Sequence, residues 1–288
     1  MSGRSAHRPL VWLPADRARA LRFVAASPSP GRYSTDYADV RITMDADRSH
    51  GWMIELDGVL ASYVALDDPT HLEFEYTRWI ADMLDEVRPE EHLEFVHLGG
   101  AACSLPVYLA TRRPGSRQLI IDFDAALIDL MRTQFGIRSS RRFALRTADA
   151  LEGLRGLPAA SADVIVRDAF SADQTPQHLR GAEFAREVAR VLRPSGIYLA
   201  NIGDGPGLAL TRELLRHSRE ALALRPTETH NGHMAIISDP SVMRGRRKGN
   251  VVAALSRSPL PLHGWQQAVR RANLPARVTH GERLWPYL

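Results

Sequence analysis

The stretch at residues 94–110, EFVHLGGAACSLPVYLA, constrains the fold more than any other part of the chain. An apolar run of the length of one buried strand stops at two adjacent glycines and reopens with helical spacing, which is how a parallel α/β unit begins. The rhythm continues downstream: EFVHLG, RQLIIDFD, RFALRTAD, ADVIVRDAF and GIYLANI read as five strands, with helices expected at roughly 105–113, 125–135, 183–192 and 207–224. GHMAIISD and GNVVAALSR, joined by PSVMRGRRKG, read as an antiparallel pair closing the sheet edge, with a short helix near 264–272. The expected fold class is α/β, a doubly wound, mostly parallel sheet with a C-terminal antiparallel pair.

Upstream the period changes. RITMDADRSHGWMIELDGVLASYVALDD has the short alternating runs and turn residues of two or three small strands, a small antiparallel β domain at 41–70. THLEFEYTRWIADMLDEV then carries Leu72, Tyr76, Trp79, Ile80, Met83, Leu84 and Val87 at helical spacing. Residues 1–40 are rich in Arg, Ala and Ser, show no core-forming periodicity, and contain SPSPGRYST as a turn-rich link, so they are expected to form a partly disordered arm. The remainder, 71–288, is expected to be one Rossmann-like domain.

Composition narrows the function. Basic residues number 37 against 33 acidic, and Lys248 is the one lysine, which nearly removes lysine as a catalytic base. The arginines are scattered rather than blocked, which argues against a nucleic-acid surface. A single cysteine, Cys103, excludes an intramolecular disulfide and suits a reducing compartment. No run of about 18 apolar residues exists to span a bilayer, and PLVWLP near the N-terminus is too short for a signal core, so a cytoplasmic protein is expected.

In a doubly wound sheet, ligands lie across the carboxyl ends of the strands. Gly99 and Gly100 end the first of these strands and are followed by Ala101, Ala102, Cys103 and Ser104, all small, leaving room for a ligand against the backbone or simply making a tight turn. Asp122 ends the next strand 22 residues after Gly100, placed to accept from both ribose hydroxyls. Asp124 reads as a helix N-cap. Asp149, in RTADA with Ala150, is either an acceptor for an adenine amine or a turn residue before a Leu-rich loop. No G-x-G-x-x-G or G-K-[ST] pattern points to a dinucleotide or ATP. Asp168 and Asp173 frame the segment that leaves the fourth strand, where carboxylates are costly unless they hold a cation or take a proton; on these residues alone the plainer reading is that Asp173 caps a helix and Asp168 accepts from backbone N–H groups.

Taken together, LDGVLASYVALDDPTHLEFEY, LGGAACSLP, IIDFD, TADA and DVIVRDAFSADQTPQHL resemble, in order and spacing, the spermidine synthase (polyamine aminopropyltransferase) family over about residues 41–257. The resemblance implies a methyltransferase-like sheet behind a small β domain. It also implies decarboxylated S-adenosylmethionine as co-substrate, no metal, and a polyamine or other amine acceptor such as putrescine. It makes Asp168 the general base and Asp173 an anchor for the amine, and it implies a homodimer through the strands at 41–66.

Three departures fall on the aminopropyl side. Ala102 stands where the family usually carries an aspartate, His71-Leu72-Glu73 stands in place of a Tyr-Gln/His-Glu run with only Glu73 kept, and Asn201 stands where glutamine is common. Two alternatives therefore stay open: a methyltransferase using intact S-adenosylmethionine, and a catalytically silent nucleoside-binding homologue. Among the smaller features, His71 and Glu75 read as an i, i+4 surface pair rather than a metal site, Cys103 as a small filler, and RGRRKG as a solvated loop.

Overall fold

Two burial patterns build two sheets. The computed structural model describes residues 27–89, 91–100, 103–170, 175–225, 227, 232–272 and 275–288. The smaller sheet is an antiparallel meander of β1 (Gly31–Ser34), β2 (Asp39–Met44), β3 (Gly51–Leu56) and β4 (Val59–Ala65), in that spatial order. Its strands alternate: in β2, Val40 and Ile42 are buried while Asp39 and Arg41 face water, the pattern of a sheet with one dry face. That dry face packs on the larger unit, where Val40, Ile42, Trp52 and Ile54 share one core with Ile128, Met131 and Phe135.

The larger sheet has eight strands in the order β12-β10-β11-β9-β8-β5-β6-β7. These are β5 (Glu94–Leu98), β6 (Arg117–Asp122), β7 (Phe143–Thr147), β8 (Ala162–Arg167), β9 (Leu192–Asp204), β10 (Met234–Ser238), β11 (Gly249–Ser256) and β12 (Arg277–His280). Strands β5 to β9 run parallel, while β11, β10 and β12 continue antiparallel from β9. Every residue of β8 and of β10 is buried, as expected of strands covered on both faces. The covering helices are α1 (Glu75–Asp85), α2 (Ser104–Arg112), α3 (Ala125–Phe135), α4 (Ala150–Arg155), α5 (Ala182–Val191), α6 (Ala209–Ala221), α7 (Pro240–Met243) and α8 (Leu262–Arg271). The chain steps outward from β5 to β6 and β7, then returns to β8 on the other side of β5. A crevice opens at that reversal, above the carboxyl ends of β5 and β8.

This is the expected fold class, with local differences. The small sheet begins at Gly31, so part of the segment assigned to a disordered arm is a strand, paired to β2 from Gly31↔Ile42 to Ser34↔Asp39; the rest of that assignment, up to residue 26, lies outside the described residues. The sheet has four strands rather than two or three. The β10–β11 pair does not form the edge, because β12 adds outside β10. The Leu-rich loop after Asp149 is helix α4. Helix α1 starts at Glu75, so His71 precedes it and pairs with Glu73 (Nε2–Oε2 3.0 Å) rather than with Glu75.

At the opposite end of the sheet, Asp163 fastens the start of β8 to that of β5. It accepts from the backbone N–H of Glu94 (2.9 Å) and from Arg88 (3.1 Å), and it also pairs with Arg193. Asp163→Ala removes all three acceptor contacts; both arginines keep partial access to water, so the expected loss is about 2 kcal/mol of unfolding free energy. Urea titration should show a lower midpoint at unchanged m.

Candidate active site

Backbone hydrogen bonds bring the strand tips side by side. Ala148 N–H donates to Asp122 O (2.9 Å), Gly99 N–H to Ile121 O (2.8 Å) and Asp168 N–H to Leu98 O (2.9 Å). The tips of β7, β6, β5 and β8 therefore form one continuous rim, with Asp122 and Asp168 two strand spacings apart, about 10 Å. The two glycines serve different ends. Gly99 has φ +84°, and a Cβ there would sit 2.4 Å from the Asp168 carbonyl oxygen and 2.8 Å from Ala169 Cα, so the turn is pressed against the chain leaving β8. Gly100 has φ +86° and open space where a Cβ would be. Cys103 is also left-handed at φ 63°, and α2 follows at once, its Ser104 hydroxyl bonded to Ser62 of β4 at 2.8 Å.

The crevice so formed is lined by Ser62, Phe74, Tyr76, Ser104 and Asp168 around the glycines, and Asp168 is the one carboxylate among the described lining residues. Tyr76 donates its hydroxyl to Asp168 Oδ2 (3.1 Å) and Asn201 donates its side-chain amide to Oδ1 (2.9 Å). Burial raises the Asp168 carboxyl above the usual carboxylate range, against the lowering effect of the Asn201 and Tyr76 hydrogen bonds and the Arg167 charge. Burial, with the Asp168 carboxylate beside it, pushes the Tyr76 phenol far up, so it remains a donor. A carboxylate of raised proton affinity, fixed by two neutral donors in a crevice, is equipped to orient and deprotonate an incoming nucleophile.

Helical spacing alone puts Tyr76 on an apolar stripe, and the run His71-Leu72-Glu73 offers no tyrosine. The helix in fact begins at Glu75, which puts Tyr76 in its first turn with the hydroxyl on Asp168. Asn201 is brought to the same carboxylate and is 1% exposed. His71 and Glu73 are not brought there: they bond each other, His71 lies against the Tyr63 ring (5.4 Å), and neither lines the crevice.

On the other side of the glycines, Asp122 is buried and its Oδ1 accepts from Asp124 N–H (3.0 Å). Asp124 caps α3 through Leu127 N–H (2.9 Å) as expected. Asp149 caps α4, Oδ1 accepting from Leu151 and Glu152 N–H, while Oδ2 meets His178 Nε2 at 2.7 Å. Burial alone would raise the Asp149 carboxyl, but the His178 bond and the helix amides outweigh it and hold it below the usual range. Ala150 is the buried first residue of α4. Asp149 is thus a helix N-cap rather than a turn residue before a loop, and an adenine amine would share Oδ2 with His178. Ala102 and Asp173 lie outside the described residues. Cys103 is buried and its thiol is pushed well up by burial and then by the Asp122 charge, the state of a filler rather than a nucleophile. Among the described residues there is no group of three or more His, Cys, Asp or Glu side chains placed to hold a metal ion, and no helix is long and apolar enough to cross a membrane.

No family model matches the chain. The crystal structure of a probable spermidine synthase from Corynebacterium glutamicum superposes with a TM-score of 0.80 at 31% identity, covering 90% of this chain and 93% of that one. The chain belongs to the spermidine synthase family. The polyamine aminopropyltransferase of Vibrio vulnificus is 32% identical over 131 residues, a stretch that spans 44% of this chain and 43% of the relative. Human methyltransferase-like protein 13, at 18% identity and a TM-score of 0.53, shares the fold, over 69% of this chain and 92% of that one. The spermidine synthase fold here is therefore a methyltransferase-like sheet behind a small antiparallel one.

The glycine geometry separates two substitutions within this spermidine synthase turn. Gly99→Ala meets both positive φ and a backbone clash and should cost at least about 2 kcal/mol. Gly100→Ala meets positive φ alone and should cost about 1–2 kcal/mol. Parallel urea titrations should rank them in that order; equal losses would mean the Gly99–Asp168 contact is not made.

Proposed function

We propose that this chain transfers an aminopropyl group from decarboxylated S-adenosylmethionine to an amine acceptor such as putrescine, with Asp168 as the proton acceptor. The observation that carries the reading is the Asp168 carboxylate, desolvated, held by Tyr76 and Asn201, and set against the Gly99 turn. Asp122 would hold the ribose hydroxyls and Asp149 the adenine amine, at the tips of the adjacent strands. The open backbone at Gly100 fits a ligand lying close to the loop.

Amine chemistry explains the need for such a base. Near neutral pH an alkylamine is mostly an ammonium ion with no lone pair to attack. Asp168 orients it by charge and accepts its proton. The nitrogen then forms a bond to the carbon next to the sulfonium as the carbon–sulfur bond breaks, and methylthioadenosine leaves with the electron pair. Asp173 is assigned as a second anionic contact for the acceptor. We further infer a homodimer through the small sheet and a cytoplasmic location, the latter supported by a sequence with one cysteine, Cys103.

One observation favours a second reading, methyl transfer from intact S-adenosylmethionine. The glycine loop is neutral in sequence, with Ala102 where an acid would receive the aminopropyl ammonium, so nothing in the loop repels the carboxylate of the intact molecule. Calorimetry separates the two. Preference for the decarboxylated form, with product from putrescine abolished in Asp168→Asn, supports aminopropyl transfer; preference for the intact form supports methyl transfer; binding of neither removes both. Asp122→Ala should weaken every adenosyl ligand by about 1.5–3 kcal/mol.

The pH dependence has a defined sign. The Tyr76 hydrogen bond lowers the Asp168 carboxyl, so Tyr76→Phe should raise it and move the acid limb of kcat/KM to higher pH with the same acceptor. A limb that stays in place or moves to lower pH would dissociate Asp168 from the rate.

A further inference from the structure

Arg167 is held in a way its own stability does not require. It is 1% exposed. Nη1 donates to Leu179 O (2.8 Å), Nη2 reaches Asn201 O at 3.4 Å, and Nε has no hydrogen-bond partner among the described residues. No carboxylate among the described residues lies within ion-pair distance of it. Arg113, also buried, makes a useful contrast: it sits at the carbonyl-rich end of α1, where Leu84 O, Val87 O and Arg88 O all accept from it, a site that favours a cation. The helix end beneath Arg167 is a single 3-10 turn, Gln177–Leu179, whose last carbonyl it takes. A buried guanidinium with two carbonyls and no carboxylate in direct contact among the described residues is costly, and an apolar side chain of similar volume would suit the surrounding core better.

What Arg167 touches explains its position. Consecutive residues of a strand point to opposite faces: Asp168 turns toward Tyr76 of α1, and Arg167 toward Leu179 and the α5–α6 side. Leu179 closes the short 3-10 turn Gln177–Leu179. Asn201 offers its carbonyl to Arg167 and its side-chain amide to Asp168. We infer that Arg167 is a positioning residue for Asp168, fastening Leu179 and Asn201 from the far face of β8 and setting a fixed positive charge behind the base. The inference rests on the reading of Asp168 as proton acceptor. The groups acting on that carboxylate are Tyr76 from α1, the neutral Asn201 amide from β9, and Arg167 from β8 itself, whose charge favours the ionised form against burial.

The test compares Arg167→Met and Arg167→Lys with the unaltered protein. With putrescine as acceptor, Arg167→Met should lower kcat by about 10- to 100-fold, the scale of a misplaced catalytic group. It should also move the acid limb of kcat/KM to higher pH and speed amide exchange at residues 175–180, while methylthioadenosine affinity changes by less than about threefold. Arg167→Lys keeps the charge and one hydrogen bond, so it should restore the limb while recovering only part of the rate. An Arg167→Met protein with an unshifted limb and normal exchange at 175–180 overturns the inference even if activity falls, and so does full activity. Should Arg167→Met fail to fold, Arg167→Gln takes its place with the same expected outcomes. If the unaltered protein shows no aminopropyl transfer, the functional reading falls by itself. The positioning role is then decided by exchange at 175–180 and by a carbon-13 titration of the Asp168 carboxyl in the Arg167 variants.

Discussion

A carboxylate withdrawn from water must be met by donors or give up its charge, and the arrangement around Asp168 is one answer to that constraint. Tyr76 comes from the first turn of α1, Asn201 from the middle of β9, and the backbone of Asp168 is fixed to β5 through Leu98 O. Three elements distant in sequence are needed to hold one side chain. The donors are neutral, so they orient the carboxylate and temper the effect of burial without neutralising it as an arginine ion pair would. Burial still leaves the Asp168 proton affinity above that of an exposed carboxylate.

The same constraint shapes the glycine turn. Gly99 lies so close to the Asp168 carbonyl that no side chain fits, and left-handed conformations at Gly99, Gly100 and Cys103 turn the chain from β5 into α2 within a few residues. Such a conformation is unfavourable for Cys103 and persists because its surroundings impose it. Ser104, the next residue, is fastened to Ser62 on the small sheet, and the thiol is sealed in the core that joins that sheet to α3. The small sheet is thus a wall of the crevice as well as a neighbour of it.

The strongly periodic parts of the fold were legible in the sequence. Buried parallel strands read as continuous apolar runs, and α3 was bounded to the residue because Asp124 caps its start and Gly136 takes the left-handed conformation at its end. The missed elements are short or weakly patterned. Strand β1 has four residues amid Ser, Pro and Gly, and edge strand β12 also has four. Helix α4 was hidden by Gly153, which the sequence offers as a helix breaker but which the packing needs, since a Cβ there would lie 2.7 Å from Ile121 Cγ2. The carboxylates at the strand tips were legible because their positions follow from topology. Tyr76 was not, because a tyrosine at helical spacing looks like core until the start of the helix is known; His71 and Glu73 followed from the family resemblance alone, and the structure bonds them to each other.

The two sides of the glycine turn therefore differ in kind. On the β6–β7 side, contacts are set by strand ends and helix caps, so the same carboxylates that would read a nucleoside also stabilise α3 and α4: Asp122 through the turn into Asp124, and Asp149 through Leu151 and Glu152. Binding there is coupled to local structure, and changing it disturbs the fold. On the α1–β4 side the described lining is hydroxyl and apolar, with Ser62, Phe74, Tyr76 and Ser104 around one carboxylate. Those side chains join elements as well as line the space between them: Ser62 and Ser104 tie the small sheet to α2, and Tyr76 ties α1 to the end of β8.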